Sequence, residues 1–244
     1  MLVVITIIGI LASMITAAAV VARRRARIAV VVMEVKQLEM ACQAYKEKFG
    51  EYPPDFSNVG TSMTPTELRD TARRIILRHL ARAFPRYMPG ITTATTTDDH
   101  TWAGFVADVS STTVGWDINP ENLTPQNALT FWLGGMPELN GAGTAVIAFH
   151  GFSANPQNPF DRSASRIRPF FDFDPTRTVR DSTVIRYWPQ GATGDRTSGA
   201  IAYFRAENNA YAVRYVPSGG GTASTQKTVT DTGDTITSPQ PVLY

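Results

Sequence analysis

Hydrophobic and polar positions follow two different rules along the 244 residues. Residues 1–22 carry no charge at all. As a helix rising 1.5 Å per residue, that stretch would be about 33 Å long, close to the hydrocarbon thickness of a bilayer. Arg23, Arg24, Arg25 and Arg27 follow at once. Beyond them, Ile28, Val31, Val35, Leu38, Cys42, Tyr45 and Phe49 recur at alternating spacings of three and four, which is one stripe of a continuing helix. Glu34, Lys36, Gln37, Glu39, Gln43, Lys46, Glu47 and Lys48 take the other faces. Gly50 and then Pro53-Pro54 supply the stop. The pattern therefore predicts a single helix about 74 Å long, apolar all round in its first half and amphipathic in its second. No isolated globular domain needs that shape.

The rest of the chain mixes both periodicities. Thr64-Pro65-Thr66-Glu67 reads as a helix start, and Leu68, Ala72, Ile75, Ile76, Leu80 and Phe84 as one helix face. Arg69, Arg73, Arg74, Arg78 and Arg82 fall on the other faces, predicting a solvated or intersubunit surface. Thr124-Pro125 starts another helix through Ala128, Leu129, Phe131, Trp132 and Leu133, closed by Gly134-Gly135. Residues 200–207 and 210–216 flank Asn208-Asn209, which predicts a hairpin, and with residues 183–188 a small antiparallel sheet. Residues 91–100 read as a threonine-rich loop or edge strand. Residues 218–244 hold seven threonines and little apolar surface, predicting a flexible tail or one ordered on a neighbouring subunit. The expected class is α+β. Residues 1–50 form the long helix, residues 51–217 a head with further helices and a small antiparallel β-sheet, and residues 218–244 the tail.

The N-terminal residues carry a resemblance. MLVVITIIGILASMI, leading into an amphipathic stretch that ends YKEKFGEYPPD, resembles the type IV pilins and type II secretion pseudopilins. In that family a mature start of F-T-L-x-E precedes M/L-L-V-V-I-x-I-I-G-I-L-A, and G-x-Y-P commonly ends the helix, here Gly50 to Pro53. The match covers about the first 55 residues. The family's basic leader, cleavage-site glycine, methylated phenylalanine and fifth-position glutamate would all lie upstream of Met1, so Met1 is expected to be an internal methionine of the full reading frame.

What the resemblance implies is a non-enzymatic, pilin-like structural subunit of an extracellular helical filament at the cell surface, with an inner-membrane-anchored precursor. Leu2, Val3, Val4, Ile5, Ile7, Ile8, Gly9, Ile10, Leu11, Met14 and Ile15 would form the membrane segment and then the filament core. Gly9, Ser13 and Thr16 weaken that helix locally. Ile28, Val31, Val35, Leu38, Cys42, Tyr45 and Phe49 would pack against the head. Arg23, Arg24, Arg25 and Arg27 would either meet solvent and lipid headgroups or form salt bridges with neighbouring subunits. The partners implied are copies of the chain itself, the inner membrane before assembly, and the pilus or type II secretion machinery. Pilus or pseudopilus, adhesion, motility or secretion are not written in the sequence. The competing classes are a membrane-anchored module binding a sugar or a protein, and a minor pseudopilin.

Composition narrows the chemistry. A net charge of +2 does not argue for nucleic acid, so no nucleic-acid partner is expected. A secretory signal peptide would place its basic residues before the apolar run, not after it. Nineteen of the 23 basic residues are arginine, whose planar fork suits carboxylate pairing. The single cysteine, Cys42, excludes an internal disulfide and Cys-rich zinc sites, and reads as a small buried apolar residue. No P-loop, dinucleotide glycine fingerprint, G-x-S-x-G, H-E-x-x-H or C-x-x-C-H pattern occurs, and no cofactor is expected. Asp98-Asp99-His100 reads as an exposed loop. Asp172, Asp174 and Asp181 could offer calcium some of the six to eight oxygens it needs, but the family's calcium-loop sequence is missing. Trp102, Trp116, Trp132 and Trp188 read as core, or as sugar platforms if exposed.

Overall fold

The computed structural model describes residues 2–60, 66–89, 102–113, 115–162, 165–190, 199–207, 210–211 and 229–230. Side chains are described from Thr16 onward, except those of Ala17, Glu207 and the last four strand residues. The fold is α+β, helices combined with small antiparallel sheets.

Helix α1 runs Leu2–Phe49, 48 residues or about 72 Å. Lys46 and Lys48 lie in its last turn, where the helix dipole favours cations. Gly50, at φ 85°, then closes it by donating its N–H to the Lys46 carbonyl at 2.7 Å. Helix α2 spans Thr66–Ala83 and buries Ile76, His79 and Leu80. Its start signal at Thr64-Pro65 lies outside the described residues, as do residues 91–100. Helix α3, Trp102–Ser110, is an element the hydrophobic pattern did not predict; it buries Trp102, Phe105, Asp108 and Val109.

Helix α4, Pro125–Leu129, starts where expected, with the Asn127 carboxamide oxygen accepting from both the Thr124 N–H (3.1 Å) and its hydroxyl (2.8 Å). It does not continue as an α-helix. Residues Thr130–Gly134 form a π-turn that buries Phe131, Trp132 and Leu133 in succession. The turn ends on Gly134 and Gly135 because nothing larger fits: a Cβ on Gly135 would lie 2.4 Å from the Gly151 backbone, and one on Gly151 only 1.9 Å from the Ile167 carbonyl. This contact explains two sequence motifs together. The glycines of ALTFWLGG dock on the first glycine of GFSANPQNPF, seating Phe152 and Phe160 beside Trp116.

The single expected sheet is three separate small ones among the described residues. Strands β1 (Pro137–Leu139) and β2 (Val146–Phe149) pair first. Strands β3 (Thr178–Asp181) and β4 (Val184–Tyr187) form a hairpin around Ser182, at φ 54°. The predicted 183–188 strand pairs with the segment before it, and its Tyr187 carbonyl also accepts from the Ile201 N–H at 2.9 Å. In the predicted 200–216 hairpin, β5 (Ala206–Glu207) pairs with β6 (Ala210–Tyr211), and β6 with β7 (Val229–Thr230); Asn208-Asn209 and residues 212–216 lie outside the described residues. Two tail residues thus pair within their own chain.

The core is aromatic. Phe56 stacks on Trp132 with centroids 5.4 Å apart, and Phe131, Phe105, Trp116, Phe152 and Phe160 join edge-on or tilted. Such pairs add about 0.5–1.5 kcal/mol each beyond their area. All four tryptophans are buried, so none is a sugar platform.

Candidate functional site

The part of α1 before the head is an exposed apolar rod interrupted by charge. Val20, Val21, Ile28, Val30, Val32 and Met33 are all exposed, with Met33 at 68%. Soluble chains rarely leave contiguous large apolar side chains in water, so such a surface marks a contact site. Arg23, Arg24, Arg25 and Arg27 are exposed as well. The membrane- or core-facing positions Leu2 to Ile15 lie in α1, but their side chains are outside the described set. Among the described residues, no helix is long and apolar enough to cross a membrane.

The expected packing stripe meets the head only in part. Leu38, Cys42, Tyr45 and Phe49 are buried. Val31 and Val35 are half-buried, and Ile28 is 54% exposed. The reason is geometric: the head begins to cover α1 near Glu34, and Ile28 lies almost two turns earlier. Glu34, placed by its polarity on a solvent face, is instead buried at 6%. Its carboxylate accepts from the Tyr187 hydroxyl (2.6 Å), the Arg177 guanidinium (2.6 Å) and the Gln190 N–H (2.9 Å). Arg177 also stacks over the Tyr187 ring and donates to its hydroxyl. Burial and the adjacent carboxylate push the Tyr187 phenol up, keeping it protonated as the donor.

A second polar joint sits near the end of α1. The hydroxyl of Tyr45 meets His79 Nε2 at 2.7 Å, and His79 Nδ1 meets Glu51 at 2.8 Å. Glu51 in turn pairs with Arg205 at 3.1 Å. The edge of Trp132 closes the histidine from another side. Burial lowers the His79 pKa to about 4, with Glu51 opposing and Arg205 and Arg82 reinforcing the drop. For Glu51, burial pushes upward, but His79 and Arg205 outweigh it and hold the carboxyl below its ordinary range. A neutral His79 with its proton on Nδ1 satisfies both neighbours. The tyrosine–histidine–glutamate order resembles a proton relay, but Tyr45 is 0% exposed and no substrate can reach its oxygen. The assembly joins α1, α2 and the 199–205 segment.

The remaining candidates separate. Asp174 caps the 3-10 turn Pro175–Arg177 by accepting from the Thr176 N–H. Asp181 pairs with Arg186, and Asp172 is exposed. Among the described residues no cluster of three His, Cys, Asp or Glu side chains could hold a metal. Asp98-Asp99-His100 lies outside them. Burial pushes the Cys42 thiol up to about 12, so it is no nucleophile. Arg69 and Arg73 are half-buried, unlike the solvated row expected of α2. Arg73 lies over the Trp102 ring and pairs with Glu121 at 2.9 Å, because α3 packs against that face. Between α2 and α3 lies an open groove of about 660 Å³, floored by Leu77, Val106 and Ala107. Tyr87 donates to the fully buried Asp108 at 2.8 Å, a polar pair that the sequence pattern did not single out.

The described residues form a mixed α+β fold, with exposed apolar and arginine side chains on α1 before Glu34. Set against protein-family models, curated proteins and solved structures, the chain matches none.

Proposed function

We propose that the chain is a pilin-like structural subunit of an extracellular helical filament, held together by the packing of many copies of α1. The observation that carries this reading is the row of exposed apolar residues from Val20 to Met33, on a helix that the head covers only from about Glu34 onward. An apolar rod of that length is stable only when lipid or other apolar helices replace water around it. Before assembly, residues 1–22 reside in the inner membrane; after extraction by a pilus or type II secretion machinery, neighbouring helices take the place of lipid. The near-identity of residues 1–12 to the pilin start supports the same reading. The head contributes packing and an outer surface; no chemistry is assigned to it.

Electron microscopy of shed surface material, with the chain epitope-tagged in its head, tests this. The expected result is regular fibres decorated along their length. Label confined to fibre tips would indicate a minor pseudopilin. Monodisperse membrane protein with no fibres would refute the filament and favour an anchored binding module. A paired Val32→Asp and Met33→Asp variant, both positions being exposed, is expected to fold but not to polymerise.

A further inference from the structure

Four guanidinium groups stand at Arg23, Arg24, Arg25 and Arg27, all exposed, with no protein partner among the described residues. At 3.6 residues per turn they spread over about 200° of the helix circumference, so they form a collar and not a one-sided patch. Residues 1–33 contain neither aspartate nor glutamate. The first, Glu34, is buried and already shared among Tyr187, Arg177 and Gln190. The next, Glu39, pairs with Lys36 and lies about 18 Å beyond Arg27, outside the screening distance of about 8–10 Å at ordinary salt. A second copy of α1 is a poor partner, because residues 23–49 carry seven cations against three acids. The apolar run of residues 1–22 ends where the collar begins.

We propose that this collar binds the phosphates of anionic phospholipids at the membrane face where the apolar segment emerges. The guanidinium fork suits phosphate oxygens bidentately, and groups spread over about 200° can engage headgroups around more than half of the helix. Glu34, the first residue clamped by the head, lies about 10 Å past Arg27 along the helix, so the head rides just clear of the headgroup layer. The collar thereby fixes the depth of the unassembled subunit and enriches acidic lipid around it. The inference rests on the membrane-anchored precursor stage proposed above.

The test uses the full chain, detergent-diluted into vesicles of phosphatidylcholine alone or of phosphatidylcholine with about 30% phosphatidylglycerol, and separated by flotation. Wild type is expected to partition into the anionic vesicles roughly 900-fold more strongly at low salt, from about 1 kcal/mol for each of the four arginines. That preference should collapse in about 0.5 M salt. A variant carrying R23Q, R24Q, R25Q and R27Q should bind both vesicles alike, with unchanged near-ultraviolet dichroism. A control with R78Q and R86Q, exposed cations of the head, should keep the preference. Equal wild-type binding to both vesicles would overturn the collar's role and leave the membrane anchor standing. Failure to bind either vesicle would overturn the anchor and the collar together. Retained lipid preference in the fourfold variant would also overturn the inference.

Discussion

Acidification should loosen the joint between α1 and α2 through His79, and the size of the effect follows from its surroundings. The imidazole is 1% exposed, and it needs a lone pair on Nε2 to accept from the Tyr45 hydroxyl. A second proton would remove that lone pair and place a cation near Arg82 and Arg205. The folded pKa of about 4 lies below the ordinary 6.5, so the unfolded chain binds the proton more readily between those values. Stability is therefore complete above about pH 6.5 and is lost as the pH falls towards 4. A shift of that size amounts to about 3 kcal/mol in total, with about 2 kcal/mol already lost by about pH 5. Glu51 acts in the same direction. Its carboxyl is held below the usual 4.5, so its contribution is present above that value and disappears below it. Denaturant unfolding of the full chain in mild detergent, at steps from about pH 7 down to about pH 4.5, should show this loss in wild type and a flattened profile in His79→Gln. Parallel pH profiles for the two proteins, or an imidazole titrating near its ordinary 6.5 by nuclear magnetic resonance, would refute the assignment.

Three further outcomes are expected. Glu34→Ala leaves the Arg177 guanidinium with only Asp174 as a carboxylate partner and should cost about 3 kcal/mol, read as a lower Tm and faster amide exchange around Tyr187. Gly151→Ala puts a Cβ 1.9 Å from the Ile167 carbonyl on a residue at φ 70°, and should cost more than about 3 kcal/mol, seen as loss of folded head on expression; unchanged Tm would contradict the close packing. The Cys42 thiol, buried and pushed up to about 12, should resist maleimide in the native protein near neutral pH and react fully in guanidinium.

The residues that sequence reasoning found and missed divide along a physical line. Helix α2 was legible because Ile76, Leu80 and Phe84 repeat at helical spacing, and the start of α4 because Thr124-Pro125 is local chemistry. Leu38, Cys42, Tyr45 and Phe49 announced their burial in the same way. Glu34, His79 and Asp108 did not, because a buried polar residue looks like a surface residue until its partners are known. Tyr187 lies 153 residues from Glu34, and Tyr45 lies 34 from His79. Helix α3 is nine residues long and interrupted by Gly104, too short to hold a periodic signal against noise. The strands β1 and β2 are three and four residues long, so they gave no alternating run to recognise. The only available clue to His79 was its position three residues after Ile76 and one before Leu80, inside the apolar face of α2.

The missed polar residues matter more to the joint than the apolar ones that were found. A stripe that repeats every three to four residues offers similar contacts if the head slides one turn along α1, since Val31, Val35, Leu38 and Cys42 succeed one another with like surfaces. Apolar burial therefore supplies adhesion without register. Glu34 has no equivalent one turn away: the row it occupies continues as Val30 on one side and Leu38 on the other. A slipped head would set Arg177 and the Gln190 N–H against hydrocarbon and leave the carboxylate in an unpaired apolar contact, each several kcal/mol uphill. At the other end, about 16 Å away, Tyr45 must meet His79 for the imidazole to be satisfied on both nitrogens. Two fixed polar points on a rigid helix define both the sliding and the rotation of the head. In the filament proposed above, an error in that angle would accumulate from subunit to subunit, and a buried carboxylate that fixes it would offset its own desolvation cost.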